Sequence, residues 1–202
     1  MSASVSPLHR LMLLMAGVLA GYQVAVGIEG EAWLAIAAYT VAFGIILLTS
    51  ALVLLFGFDV LDKAVVVIMA TLLPLGLSTG LVARHLPSVA WVYLGFAAIG
   101  LLGVIVTKSW LPGWPSTLTL SVVHGISGIA IVLLPTSAAL RGAAPLGYGL
   151  VGIGGAIIGL AGLALALLQA GKPLMTREMV LRILPAVLLV VTTAFVLGFA
   201  VG

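Results

Sequence analysis

WLAIAAYTVAFGIILLTSALVLLF, residues Trp33 to Phe56, decides the fold class. It holds no Asp, Glu, Lys, Arg or His. A helix crosses the ~30 Å hydrocarbon core of a bilayer in about 20 residues. This stretch is long enough to do so. It does not alternate apolar with polar residues, as a strand of a membrane barrel would. The same pattern recurs on both sides of it. Further apolar stretches run from Leu11 to Ile28, Ala64 to Ala83 and Ser88 to Thr107. Others run from about Thr117 to Leu140, from about Pro145 to Gln169, and from Arg177 or Ile183 to Val201. The expectation is an all-α integral membrane protein with about seven transmembrane helices.

Composition agrees. The chain has 202 residues, of which 8 are Lys or Arg and 5 are Asp or Glu. A soluble domain carries roughly 25% charged residues. So few charges cannot cover a water-facing surface, and lipid must solvate most of the chain. Seven spans use up most of its length, which leaves one polytopic transmembrane domain over 1–202 and no extramembrane domain. The chain has no cysteine, which removes disulfides, thiolate chemistry and Cys-ligated metal. The net charge of +3 reads as topology rather than as affinity for nucleic acid.

The connections are short, so neighbouring spans run antiparallel. Lys and Arg favour the cytoplasmic side. A cytoplasmic N-terminus puts Arg10, Lys63, Lys108, Lys172, Arg177 and Arg182 inside, and Arg84 and Arg141 outside. The C-terminus then faces outward, at the cell membrane's outer surface. Tryptophan prefers the interface, and Trp33, Trp91, Trp110 and Trp114 all fall at ends of spans. The run before Val18-Leu19-Ala20 resembles a signal peptide. It continues apolar to Ile28, so an uncleaved first span is expected; cleavage would leave six. Near the end, Pro173 stops the sixth span. Thr176 then caps the last helix, with Glu178 in its first turn.

Glycine takes the place of the hydrophobic force between helices in lipid, because it lets backbones approach. Gly17 with Gly21, Gly76 with Gly80, and Gly155 with Gly159 are GxxxG pairs. They are expected to pack within the bundle, with a partner or a second copy as the other use. The G-x-G-x-x-G match at Gly147, Gly149 and Gly152 lies in a span and is no nucleotide fingerprint.

Chemistry-bearing residues are few. The carboxylates and the basic residues all map to loops or span ends. His124 is the one ionisable residue inside a span, and such a residue is the default pointer to function. Thr117, Ser121, His124 and Gly128 share one helix face, expected to point into the bundle. The candidate binding residues are His124, Ser121 and Thr117, with Ser78 and Thr79 after Pro74. His124 can ligate a haem or chlorin, donate to a quinone or substrate, or simply tie helices together. His85 lies at the opposite end of its span, roughly 20 Å away in height, so two histidines of this chain cannot share one iron. Arg84, His85 and Arg141 read as interfacial anchors. No catalytic group and no metal cluster is expected, and the sequence requires no cofactor.

Two function classes remain. The first is a non-catalytic scaffold or anchor subunit of a larger membrane complex, its partners being the bilayer and other membrane subunits or a second copy, not nucleic acid. It is favoured by short loops and glycine-rich surfaces. The second is a small-solute transporter or channel with a polar path around His124. An intramembrane enzyme ranks last, because no acid–base pair can be assembled.

Overall fold

An α-helix satisfies the backbone of each apolar segment within that segment, and helix is what forms. The computed structural model describes residues 5–169 and 175–202. Among them are seven α-helices and no strand. They are α1 (Pro7–Val26), α2 (Trp33–Phe56), α3 (Ala64–His85), α4 (Ala90–Trp110), α5 (Trp114–Leu140), α6 (Gly149–Gln169) and α7 (Arg177–Ala200). Three short 3-10 turns, Phe58–Asp62, Pro87–Val89 and Leu146–Tyr148, bridge them. Six segments are long and apolar enough to cross a membrane, and Leu146–Gly162 adds a shorter apolar one.

Local signals set the ends. The Ser6 side chain accepts from the His9 backbone N–H, with Pro7 just behind it. So α1 starts earlier than the apolar run at Leu11. Gly27 and Gly57, at φ +69° and +77°, end α1 and α2, in a conformation that other residues adopt at a cost. Thr176 caps α7, accepting from the Met179 N–H at 3.2 Å, as its sequence suggested. Pro173, the expected stop of α6, lies outside the described residues.

The helices form a ring in the order α1, α2, α3, α5, α6, α7, with α7 closing back on α1. α4 packs outside that ring, on α3 and α5. Its displacement is what lets α3 and α5 meet. The ring is filled rather than open. Tyr39 and Phe43 of α2 meet Phe195 and Phe199 of α7, with Tyr39 and Phe199 ring centroids 4.7 Å apart. A second cluster, with Leu13, Val53, Phe58 and Leu188, fills the α1–α2–α7 corner.

Two of the three glycine pairs pack against neighbouring helices of the bundle at both positions. A Cβ on Gly76 would lie 2.6 Å from the Ala38 carbonyl oxygen, and one on Gly80 would strike the Tyr39 ring. Gly17 lies against Ser50 and Leu47 of α2. Gly155 presses on Ile131 of α5, but Gly159, its partner in the motif, meets nothing within 4 Å among the described residues. The two ends of the bundle are named below by Glu31 and by Asp62.

Candidate functional site

The five residues singled out from the sequence fall in two separate places. The expected inward turn of the Thr117–Ser121–His124–Gly128 face is corrected. Thr117 and Ser121 are exposed, and His124 and Gly128 are half-buried. α5 buries Ser116, Val123, Ser127, Ile131, Pro135 and Ala138 instead. The reason is its neighbours. Val123 and Thr119 pack against Gly100 and Gly103 of α4, and α6 meets α5 at Ile131, Val132 and Thr136. Ile131 and His124 are two turns apart on one stripe. Above, that stripe meets α6. Below, Gly159 and Gly162 of α6 have no neighbour within 4 Å of a Cβ position among the described residues, and neither do Gly125 and Gly128 of α5. Among the described residues, the polar stripe is therefore the uncovered continuation of a helix–helix interface.

Among the described residues, the polar groups along it bond only their own helix. Thr117 donates to the Gly113 carbonyl at 3.2 Å. His124 Nδ1 is 3.0 Å from the Leu120 carbonyl oxygen. A carbonyl only accepts, so Nδ1 carries the proton and Nε2 keeps its lone pair.

Ser78 and Thr79 are buried in α3. The Ser78 hydroxyl is within reach of the Pro74 and Leu75 carbonyls, at 2.6 and 3.2 Å. Thr79 lines a lateral groove of about 280 Å³ between α2, α3 and α4, with Leu34, Ala38, Leu75, Gly76 and Ala97 among its walls. That lining is aliphatic apart from Thr79.

The best-connected polar group among the described residues was not assembled from the sequence. At the Glu31 end, the Glu31 carboxylate accepts from Arg84 at 2.8 Å, its side chain only 7% exposed. The Arg84 guanidinium stands 4.7 Å from the centre of the Tyr148 ring. His85 Nε2 is 3.0 Å from the Tyr148 hydroxyl. Four segments thus meet: the α1–α2 turn, the end of α3, the turn before α6, and α7 through Phe199 beside Tyr148. Burial raises the Glu31 carboxyl above its ordinary range, and Arg84 opposes this without cancelling it. Below, the Tyr39 hydroxyl is buried without a hydrogen-bond partner among the described residues. Arg84 is therefore more than an interfacial anchor, whereas Arg141 is exposed. The sequence held one signal: Arg84 and Glu31 close neighbouring loops on the same side of the spans.

At the Asp62 end, Arg177 pairs with Asp62 and lies 3.9 Å from Asp59, all of them solvent-exposed. No group of three or more His, Asp or Glu residues converges as a metal site among the described residues.

Comparison with known protein families, characterised proteins and solved structures finds no match. The geometry therefore carries the functional argument alone.

Proposed function

We propose that this chain is a non-catalytic scaffold or anchor subunit of a larger complex in the cell membrane, with the uncovered flank of α5 as its partner-facing surface. In this reading all seven helices span, the N-terminus and the Asp62 end are cytoplasmic, and the C-terminus and the Glu31 end face outward. The distribution of basic residues supports this orientation. So do the tryptophans, which stand at helix ends: Trp33 opens α2, Trp91 lies next to the start of α4, Trp110 ends α4 and Trp114 opens α5.

The observation that carries the subunit reading is the stripe Thr117, Ser121, His124 and Gly128. A histidine and two hydroxyls on the outside of a spanning helix are disfavoured against lipid. Small residues and hydrogen-bonding side chains are what helix–helix contacts in membranes are made of. A partner helix seated there would continue below Ile131 the contact that α6 makes above it. The filled aromatic core lends no support to a solute path around His124.

The test is site-specific crosslinking in the native membrane. A photo-reactive residue replacing Ser121 should yield a protein adduct. The same residue replacing Val92, 75% exposed on α4, should yield only lipid adducts. Lipid adducts alone at both positions would overturn the reading.

A further inference from the structure

We infer that the lateral groove between α2, α3 and α4 holds one acyl chain of a glycerolipid from the leaflet at the Glu31 end, with the lipid's ester carbonyl accepting a hydrogen bond from the Thr79 hydroxyl. The inference goes beyond the subunit reading and needs only that the bundle sits in a bilayer.

The groove follows from the placement of α4. That helix packs on α3 and α5, outside the ring, and leaves a gap to α2. Small residues, Gly76 on the floor and Ala98 on the α4 wall, leave the gap unfilled. The walls run from Leu34 to Val41 on α2, from Leu72 to Thr79 on α3 and from Leu94 to Leu101 on α4. Seven residue steps of helix are about 10 Å. Spread over that length, a volume of about 280 Å³ is a slot roughly 5 Å across, whereas a helix with its side chains is about 10–12 Å across. The slot therefore has the bore of a single hydrocarbon chain. Its lining carries no charge, as a chain of methylenes requires.

The one hydroxyl in the groove lacks a partner. Thr79 is only 4% exposed, and its hydroxyl makes no hydrogen bond among the described residues. Threonines elsewhere in the bundle bond the carbonyl four residues back: Thr71 to Val67 at 3.0 Å, Thr107 to Gly103 at 2.8 Å and Thr192 to Leu188 at 2.7 Å. For Thr79 that carbonyl is Leu75, and it lies 3.2 Å from the Ser78 hydroxyl. A buried donor with no acceptor is costly, so an acceptor brought by a ligand is favoured here.

Depth selects the acceptor. Trp33 and Trp91 stand with ring centroids 5.9 Å apart where α2 and α4 begin, and tryptophan marks the membrane–water interface. Gly76 faces Ala38, and Thr79 is three residues nearer the Glu31 end. It therefore stands about one turn of helix below Trp33. That is the border of the hydrocarbon, where a glycerolipid carries its ester carbonyls. The groove continues from there toward Val41, Leu72 and Leu101, within the depth of about 15 Å that one leaflet of hydrocarbon offers.

The experiment places the purified full chain in nanodiscs of phosphatidylcholine, extracts it in mild detergent and counts retained lipid by native mass spectrometry. One phospholipid per chain should remain. A dialkyl ether phosphatidylcholine, which lacks the ester carbonyl, should be retained about three- to tenfold less well. Thr79→Val should lower retention of the ester lipid by the same factor and make the chain indifferent to ester or ether. Ala98→Leu, at an exposed position of the wall, should lower retention of both lipids. Val92→Leu, on the 75% exposed face of α4, should lower neither. Circular dichroism should stay that of the parent chain throughout. Equal retention of ester and ether lipid by the parent chain would overturn the inference, and so would no retained lipid. An isoprenoid or quinone retained in place of phospholipid after extraction from the native membrane would also overturn it. None of these outcomes touches the Ser121 crosslink, whereas a chain that stays dissolved without detergent would sink both readings.

Discussion

The Glu31 end and the flank of α5 use similar side chains to opposite effect. At the Glu31 end, two pairs join residues far apart in the chain: Glu31 with Arg84, and His85 with Tyr148. On α5, Thr117 and His124 bond only the carbonyl four residues back. The first arrangement ties segments of one chain together. The second leaves hydrogen-bonding capacity facing outward, with nothing among the described residues to use it. A polar residue in a membrane helix thus serves the fold where its partner is in the same chain. It becomes available for binding where that partner is missing.

The contrast breaks most readily at Tyr148. Its side chain is fully buried and contacts Arg84, His85 and Phe199 together. Tyr148→Ala should cost about 3–5 kcal/mol, the usual loss for a large aromatic removed from a core. Reversible unfolding in mixed micelles measures it. A loss under about 1 kcal/mol would show that the Glu31 end does not hold the bundle. Glycines give the next largest difference. Gly80→Val places atoms on the Tyr39 ring, and overpacking of this kind costs about 1–3 kcal/mol. Gly125→Ala meets open space. It should be neutral, or stabilising by up to about 1 kcal/mol through helix propensity. Equal effects at the two positions would erase the distinction between covered and uncovered faces.

Acid titration sharpens the comparison with a smaller effect. Burial raises the Glu31 carboxyl above its ordinary value of 4.5, despite Arg84. A carboxyl with a raised folded pKa binds its proton more tightly in the folded chain. Its contribution to stability is present in acid and declines as pH rises through the folded value. The unfolding midpoint should therefore fall across that window, and Glu31→Gln should flatten the slope. An unchanged slope in the variant would mean that Glu31 is not the group responsible. Thr117 and Ser121 carry no group that titrates in this range, so Thr117→Val and Ser121→Ala should leave the slope alone.

Much of the fold was legible because lipid imposes a strong rule. Every backbone polar group must be satisfied inside its own segment, so long apolar runs such as Trp33–Phe56 have a single outcome. Pairings of glycines were legible for a related reason. Gly76 and Gly80 recur at the spacing that brings one face against a neighbour. The direction of α5 was not legible. Its helical period correctly grouped Thr117, Ser121, His124 and Gly128, but a period cannot tell an inward face from an outward one in lipid. Apolar residues are welcome on both sides, so Val123 and Val122 look alike in sequence while one is buried and the other exposed. The Glu31–Arg84 pair was hidden by chain distance. Both residues were visible as loop charges, and only the antiparallel packing of α2 on α3 brought them to 2.8 Å.

The smallest expected change in stability is also the most discriminating. Thr117→Val with Ser121→Ala removes two hydroxyls from the uncovered flank of α5. Neither side chain is buried, and the one hydrogen bond lost is Thr117 to the Gly113 carbonyl of the same helix. The isolated chain should change by no more than about 0.5 kcal/mol. The same double variant in the native membrane should lose most of a partner adduct formed at a neighbouring position such as Leu118. A structural role would show the reverse pattern, a loss of stability in the isolated chain with the adduct intact. The two measurements on one variant therefore decide whether the hydroxyls of this face belong to the fold or to what binds it.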